Sequence, residues 1–164
     1  MPSEKLHTLS VFSENSPGVL HRLTVIFTRR KLNIESLTVS ETERKGVSRF
    51  TIVVRSDEDT ILKVAKQLER IIEVLQVNVF SNGELLFKEI ALYRVAADSP
   101  AKRSEIEEVA RRYGAQMLNL SPSAVVLEKT GSEDDVNSLY LLLEPFGIRE
   151  FVRSGRIAIA KNHG

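Results

Sequence analysis

The sequence contains no cysteine among its 164 residues. Disulfide bonds, thiolate zinc sites and a cysteine nucleophile are therefore excluded. Histidine is also scarce, and His7, His21 and His163 lie too far apart in sequence to have the spacing of paired metal ligands. The sequence thus predicts neither thiol chemistry nor a metal centre.

A charge excess and a long apolar run are missing as well. The 23 basic and 22 acidic residues leave a net charge of +1, and aromatic residues make up only 6% of the chain. This composition lacks the basic stripe and the stacking residues typical of nucleic-acid binding. No apolar run approaches the roughly 20 residues that span a bilayer, and the N-terminus lacks the features of a secretory signal. We therefore expect a cytoplasmic protein that binds neither nucleic acid nor membrane.

Signatures of catalysis are also lacking. The chain has no Gly-x-Ser-x-Gly elbow and no phosphate-binding loop. Many of its carboxylates stand at predicted helix starts, where they suit the helix dipole. They are Asp57, Glu58, Asp59, Glu133, Asp134 and Asp135. A small hydrolase of the acylphosphatase type would need an arginine in the first loop, which instead reads Glu14-Asn15-Ser16. No catalytic residue is predicted.

What the sequence does contain is a repeated order of elements and 42% hydrophobic residues, enough for a packed core. The pattern strand, helix, strand, strand, helix, strand occurs twice, with turn residues at Ser81-Asn82-Gly83-Glu84 between the halves. This predicts an α+β fold of two ferredoxin-like split β-α-β units, residues 1–81 and 82–164, each an antiparallel sheet with helices on one face. The last two strands are predicted to form a hairpin around Ser154-Gly155.

The other face of the first predicted sheet has a mixed character. Thr8, Ser10, Thr38 and Ser40 make it half polar, while neighbouring apolar residues add area that favours a partner. We therefore expect at least a homodimer.

The most informative motif is Asn15-Ser16-Pro17-Gly18-Val19-Leu20, at a predicted strand-to-helix turn. We expect the helix to begin near Pro17, capped by Asn15 or Ser16. Gly18 would leave the backbone N–H groups uncovered. A bare helix N-terminus suits a small anion such as a carboxylate.

A second motif, Asn33-Ile34-Glu35-Ser36-Leu37, opens the next strand. The amide of Asn33 can accept a hydrogen bond from an ammonium and donate one to a carboxylate, which suits a zwitterion. Val19, Leu20 and Ile34 would provide aliphatic walls for such a pocket, although residues of this kind more often belong to a hydrophobic core. Together the two motifs predict a pocket for a free amino acid. Its candidate residues are Asn15, Ser16, Pro17, Gly18, Val19, Leu20, Asn33 and Ile34.

These residues resemble the small regulatory subunit of acetolactate (acetohydroxyacid) synthase, and the resemblance covers essentially the whole chain. It is most specific at residues 15–22, 33–39 and 48–52. It implies that the N-terminal unit is an ACT domain and that the chain carries neither catalytic residues nor a cofactor. It also implies a large catalytic subunit that uses thiamine diphosphate, Mg and FAD. The small subunit would activate that partner and confer feedback inhibition by valine or a related branched-chain amino acid.

The resemblance further implies a homodimer with the effector between two ACT domains. Residues 15–20 would come from one protomer, and Asn33 and Ile34 from the other. One departure is Lys31, where the family usually has glycine. A positive φ at that position would strain a lysine. The competing interpretations are an ACT-domain sensor of another amino-acid pathway and an RNA-recognition domain, which shares the same fold.

Overall fold

The computed structural model describes residues 3–162, so His163 lies outside the described part of the chain. By its contacts the chain divides into two units. One comprises residues up to Leu86 together with those from Arg156 onward, and the other is Phe87–Gly155. Among residues 3–162, no helix combines the length and the apolar character needed to cross a membrane.

The first unit builds a four-stranded antiparallel sheet whose strand order is β2-β3-β1-β4. Its elements are β1 (Lys5–Glu14), α1 (Val19–Arg29), β2 (Ile34–Glu41), β3 (Val47–Ser56), α2 (Glu58–Leu68) and β4 (Val74–Ser81). Alternate strand residues face the helices, as the period of two dictates. The core formed there includes Leu9, Val11, Phe50, Ile52 and Val54 from the strands, and Leu23, Phe27, Ile61 and Leu68 from the helices.

A short 3-10 helix, Asn82–Glu84, leads into the second sheet, whose strand order is β6-β7-β5-β8. Its elements are β5 (Leu85–Ala96), α3 (Pro100–Arg112), β6 (Gln116–Leu120), β7 (Ala124–Gly131), α4 (Glu133–Leu143), β8 (Ile148–Arg153) and β9 (Ile157–Ala160). In its core the hydroxyl of Tyr93 donates to the carbonyl of Val136 at 2.7 Å, and burial raises the pKa of Tyr93 to about 12. The predicted α+β class with two antiparallel sheets and four helices is confirmed.

The predicted C-terminal hairpin is wrong. Both β8 and β9 pair with β5 rather than with each other. The physical reason is the length of β5, which has 12 residues, of which β8 pairs only with residues 91–95. Lys161, just beyond β9, donates its backbone N–H to the carbonyl of Glu84 at 2.9 Å.

The N-terminal starts of α2, α3 and α4 follow local capping signals in the sequence. The side chains of Asp57, Ser99 and Ser132 cap α2, α3 and α4 by accepting a backbone N–H three residues on. The two hydrogen bonds from Thr60 hold the pKa of Asp57 below its usual value. Because a cap depends on neighbours within one turn, these boundaries are readable without knowledge of the tertiary fold.

Helix α1 ends in a Schellman motif that places Lys31 at φ +56°. The N–H of Lys31 donates to Thr28 O and the N–H of Leu32 donates to Phe27 O, both at 3.0 Å. We expect Lys31→Gly to raise the free energy of unfolding by about 0.5–1 kcal/mol, because glycine adopts this conformation without strain. Urea denaturation of the full chain measures the change. Lys45→Gly is the matched control, since Lys45 has no positive φ; equal effects of the two substitutions would contradict the strain.

Candidate functional site

The turn between β1 and α1 is built around Gly18, which is the N-cap residue of α1 with φ +83°. Two expectations about this turn are wrong: the helix begins at Val19 rather than Pro17, and no side chain caps it. The reason is the left-handed Gly18, which redirects the chain directly before the helix. Asn15 and Ser16 instead donate their backbone N–H groups to Gly46 O and Glu14 O. The helix N-terminus therefore has no side-chain acceptor, as a carboxylate-binding turn requires.

A pocket of about 220 Å³, called here the turn pocket, opens beside this helix start. It is lined by Glu14, Asn15, Ser16, Gly18, Val19, Leu20, Val39, Ser48 and Phe50. Five of the predicted residues thus come together, whereas Pro17 stays in the turn without lining the pocket. Val19 is buried and Leu20 is 45% exposed, so the aliphatic wall has both a covered and an open part.

Four lining residues were missed by the sequence reasoning: Glu14, Val39, Ser48 and Phe50. Alternation along the strands marks Val39 and Phe50 as members of the helix-facing side. Their place beside the turn depends on the pairing of β2 with β3, in which Val39 lies opposite Phe50. That register is a long-range property, so a short sequence window identifies such residues only as core.

The polar groups of the turn pocket leave hydrogen-bonding capacity for a ligand. Asn15 Nδ2 donates to Glu41 Oε1 at 3.4 Å, a long contact between exposed groups. Ser16 Oγ is buried and has no hydrogen-bond partner within residues 3–162. The guanidinium of Arg22 lies next to Gly18 and pairs with Glu73. A buried hydroxyl without a partner is costly, so a ligand atom that bonds Ser16 Oγ would recover that energy.

Asn33 and Ile34 do not line the turn pocket. They follow the C-terminal end of α1, an 11-residue helix about 16 Å long, whereas the pocket lies at its N-terminal end. Asn33 is exposed, and Ile34 is half-buried against the core of its own unit. A single protomer therefore does not bring the two sequence motifs together.

Within residues 3–162, the lining of the turn pocket contains no histidine or lysine that could activate Ser16 or Ser48 as a nucleophile. In the described part of the chain there is also no group of three or more His, Asp or Glu side chains that could hold a metal ion.

The family models divide the chain much as the fold does. Residues 9–76 match the model described as AHAS small subunit-like ACT domain, and residues 88–162 match small subunit of acetolactate synthase. The chain is 39% identical over 159 residues to the acetolactate synthase small subunit of Mycobacterium bovis, covering 97% of this chain and 94% of that protein. The chain belongs to the acetolactate synthase small subunits.

Further relatives of this small-subunit family agree with that assignment. The probable acetolactate synthase small subunit of Archaeoglobus fulgidus is 40% identical over 157 residues, covering 96% of this chain and 98% of that protein. The crystal structure of the acetolactate synthase small subunit from Thermotoga maritima matches with a TM-score of 0.89 at 29% identity, covering 98% and 99% of the two chains. The family resemblance and the ferredoxin-like ACT fold are therefore confirmed. A small subunit of this synthase also implies a large partner subunit.

Proposed function

We propose that this chain is the regulatory subunit of acetolactate synthase, and that its ACT domain senses valine or a related branched-chain amino acid. The observation that carries the proposal is the uncapped start of α1 at Gly18, which opens into a pocket walled by Val19, Leu20 and Val39. The effector carboxylate would bind the backbone N–H groups after Gly18. Its branched side chain would pack on the aliphatic walls, which favour it over a polar side chain.

The partner and the setting follow from the same proposal. The large subunit would carry out catalysis in the cytoplasm with thiamine diphosphate, Mg and FAD, and this chain would bind no cofactor. It would activate that subunit and make it sensitive to feedback inhibition. Residues 1–81 would form the effector-binding and dimerisation domain, and residues 82–164 the C-terminal domain of the small subunit.

The position of β2 supports a homodimer. β2 is an edge strand of its sheet, and its Val39 is 47% exposed. Two copies that pair β2 antiparallel about a two-fold axis would place the start of one strand beside the end of the other. Asn33 and Ile34 precede or begin β2, whereas Val39 and the turn pocket lie near its end. Such a pairing would bring Asn33 of one protomer to the turn pocket of its partner.

Regulation would then act through the dimer. An effector held by both protomers stabilises the arrangement in which the two motifs meet. Effector binding changes the activity of the large subunit only if the effector binds this arrangement more tightly than the arrangement in which the two motifs are apart.

Mixed dimers test whether the site spans two protomers. We expect Asn15→Ala and Asn33→Ala each to lose valine binding, because each removes an amide that orients the zwitterion. In an equimolar, fully exchanged mixture about half the dimers are mixed, and each has one intact site of two, so about a quarter of the sites should be recovered. Isothermal titration calorimetry with valine, leucine, isoleucine and serine measures the number of sites and the affinity.

The exposed amide Asn119 on β6 provides the control, since Asn119→Ala removes the same group far along the sequence from both motifs. It should bind valine as the parent does. If two folded single variants recover no sites on mixing, the site does not span two protomers. Binding of serine alone would assign the chain to another amino-acid pathway.

A further inference from the structure

The sheet of the first unit has a second face, turned away from its helices. Across it Arg49 of β3 lies opposite Phe12 of β1 and Ser40 of β2. A cleft of about 840 Å³, called here the sheet-face cleft, opens over this row. Ile159 and Ala160 of β9 form one wall. The cleft is distinct from the turn pocket, with which it shares no lining residue.

Among residues 3–162, Arg49 is the one cationic residue that lines the sheet-face cleft. Its Nη2 donates to Ala158 O at 2.6 Å, and its guanidinium carbon lies 5.4 Å from the centroid of the Phe12 ring. Its Nε is buried and has no hydrogen-bond partner within residues 3–162. Burial lowers the pKa of Arg49, while the nearby carboxylate of Glu43 raises it. The guanidinium is thus held in place by two contacts, and its Nε keeps donor capacity that no group of the described residues uses.

The remaining lining selects the kind of ligand that would use this capacity. Glu41 and Glu43 line the same cleft as Arg49, and Phe12 and Phe80 provide apolar surface. A simple anion would be attracted by Arg49 but repelled by the two carboxylates. A simple amine would be attracted by the carboxylates but repelled by Arg49. A zwitterion satisfies both charges. We propose that the sheet-face cleft binds a free α-amino acid, its carboxylate on Arg49 and its ammonium towards Glu41 and Glu43.

This second site goes beyond the proposed effector site and is linked to it through one residue. The carboxylate of Glu41 lines the sheet-face cleft and accepts the hydrogen bond from Asn15 Nδ2. An ammonium bound in the cleft competes with Asn15 for that carboxylate. Occupancy of the cleft therefore changes the hydrogen bonding of a residue that lines the turn pocket.

The test follows the Nε–H resonance of Arg49 in the ¹⁵N-labelled full chain, assigned by its absence in Arg49→Gln. Valine and glutamine are titrated beside 3-methyl-2-oxobutanoate, which lacks the ammonium of valine, and isobutylamine, which lacks its carboxylate. We expect saturable shifts with an amino acid, and affinities at least about tenfold weaker for the oxo acid and the amine. Equal affinities for the amino acid and the oxo acid would overturn the zwitterion assignment.

Two further variants keep the test independent of folding. Arg55→Gln is the matched control, since Arg55 lies on β3 six residues from Arg49 and pairs with Glu35 outside the cleft. Because Arg49→Gln has no Nε–H to follow, binding in these two variants is read from the backbone amide resonances of the cleft lining, and it should be lost in Arg49→Gln and retained in Arg55→Gln. Arg49→Gln also removes the contact to Ala158, so a second variant that leaves Arg49 in place is needed. Gln76→Trp fills the cleft, and it should abolish the ligand-induced shift of the Arg49 Nε–H resonance.

The proposed effector site is separated from the second site by Gly18→Asp, because Gly18 lines the turn pocket and does not line the sheet-face cleft. The Arg49 resonance should still respond to amino acids in that variant. A response that disappears there, or a folded Gln76→Trp that responds as the parent does, would overturn the second site. Either result leaves the effector site to be judged by its own mixed-dimer experiment.

Discussion

Replacing Gly18 with aspartate should lower the affinity of the turn pocket for valine by at least about a hundredfold, or roughly 2.7 kcal/mol. The new carboxylate would occupy the N-terminus of α1, where the effector carboxylate is proposed to bind, and the two negative charges would repel. A Cβ on Gly18 would lie 3.2 Å from Arg22 Nη1, the mobile end of a long side chain. The aspartate could therefore be accommodated and would also attract Arg22. Calorimetry with valine measures the affinity.

The matched control for this substitution is Gly114→Asp in the second unit. Gly114 has φ +68°, and a Cβ there would lie 3.5 Å from the flexible end of Lys129. Both variants therefore place the same side chain on a left-handed backbone beside a mobile cation, and both should lose about 1 kcal/mol of stability. Only Gly18→Asp should lose effector binding and, with the large subunit present, feedback inhibition. A folded Gly18→Asp that is inhibited like the parent would show that the turn pocket is not the effector site.

The parts of the fold that the sequence predicts well are those fixed by near neighbours. The caps of α2, α3 and α4 each depend on a side chain and a backbone N–H three residues apart. Local chemistry is sufficient for these caps since nothing distant competes with it. The strain at Lys31 was indicated instead by the family resemblance, since the family usually has glycine there, and the Schellman motif that ends α1 explains the positive φ.

Register and strand placement were not predictable in the same way. Val39 lines the turn pocket because β2 pairs with β3 in one particular register, and β9 pairs with β5 because β5 is longer than β8 requires. Both facts involve residues far apart in the chain. The wrong prediction that Asn15 or Ser16 caps α1 has a different origin. A side chain caps a helix only if the backbone places it next to the first N–H groups of that helix. The left-handed Gly18 prevents this.

For the half-polar face of the first sheet, the local pattern predicted that the face needs cover but not which part of the protein covers it. Its threonines and serines indicated a face that needs cover, which we expected a second copy to supply. Part of the cover comes from the chain's own C-terminal segment. Thr38 Oγ1 donates to Arg156 O at 3.3 Å, and Arg49 donates to Ala158 O. Arg156 was not singled out by the sequence, because a lone arginine after a turn usually stays in water.

Arg156 should contribute strongly to stability, and we expect Arg156→Ala to lower the free energy of unfolding by about 2–4 kcal/mol. Its side chain is fully buried, and Nη1 donates to Thr8 Oγ1 at 3.2 Å and to Asn82 Oδ1 at 2.8 Å. Truncation would remove the donor from both oxygens and leave a cavity against the sheet. Urea unfolding of the full chain, followed by circular dichroism, measures the loss.

Two further variants separate the buried contacts of Arg156 from the removal of a charge. Arg149→Ala removes an exposed guanidinium from β8 and should change stability by no more than about 0.5 kcal/mol. Arg156→Lys keeps the charge but has a shorter side chain, so its ammonium should not reach the position from which Nη1 contacts both acceptors, and it should recover only part of the loss. A folded Arg156→Ala as stable as Arg149→Ala would mean that the C-terminal segment is not held by this side chain. A large loss restored by lysine would show that any cation at this position is sufficient and that the guanidinium is not specifically required.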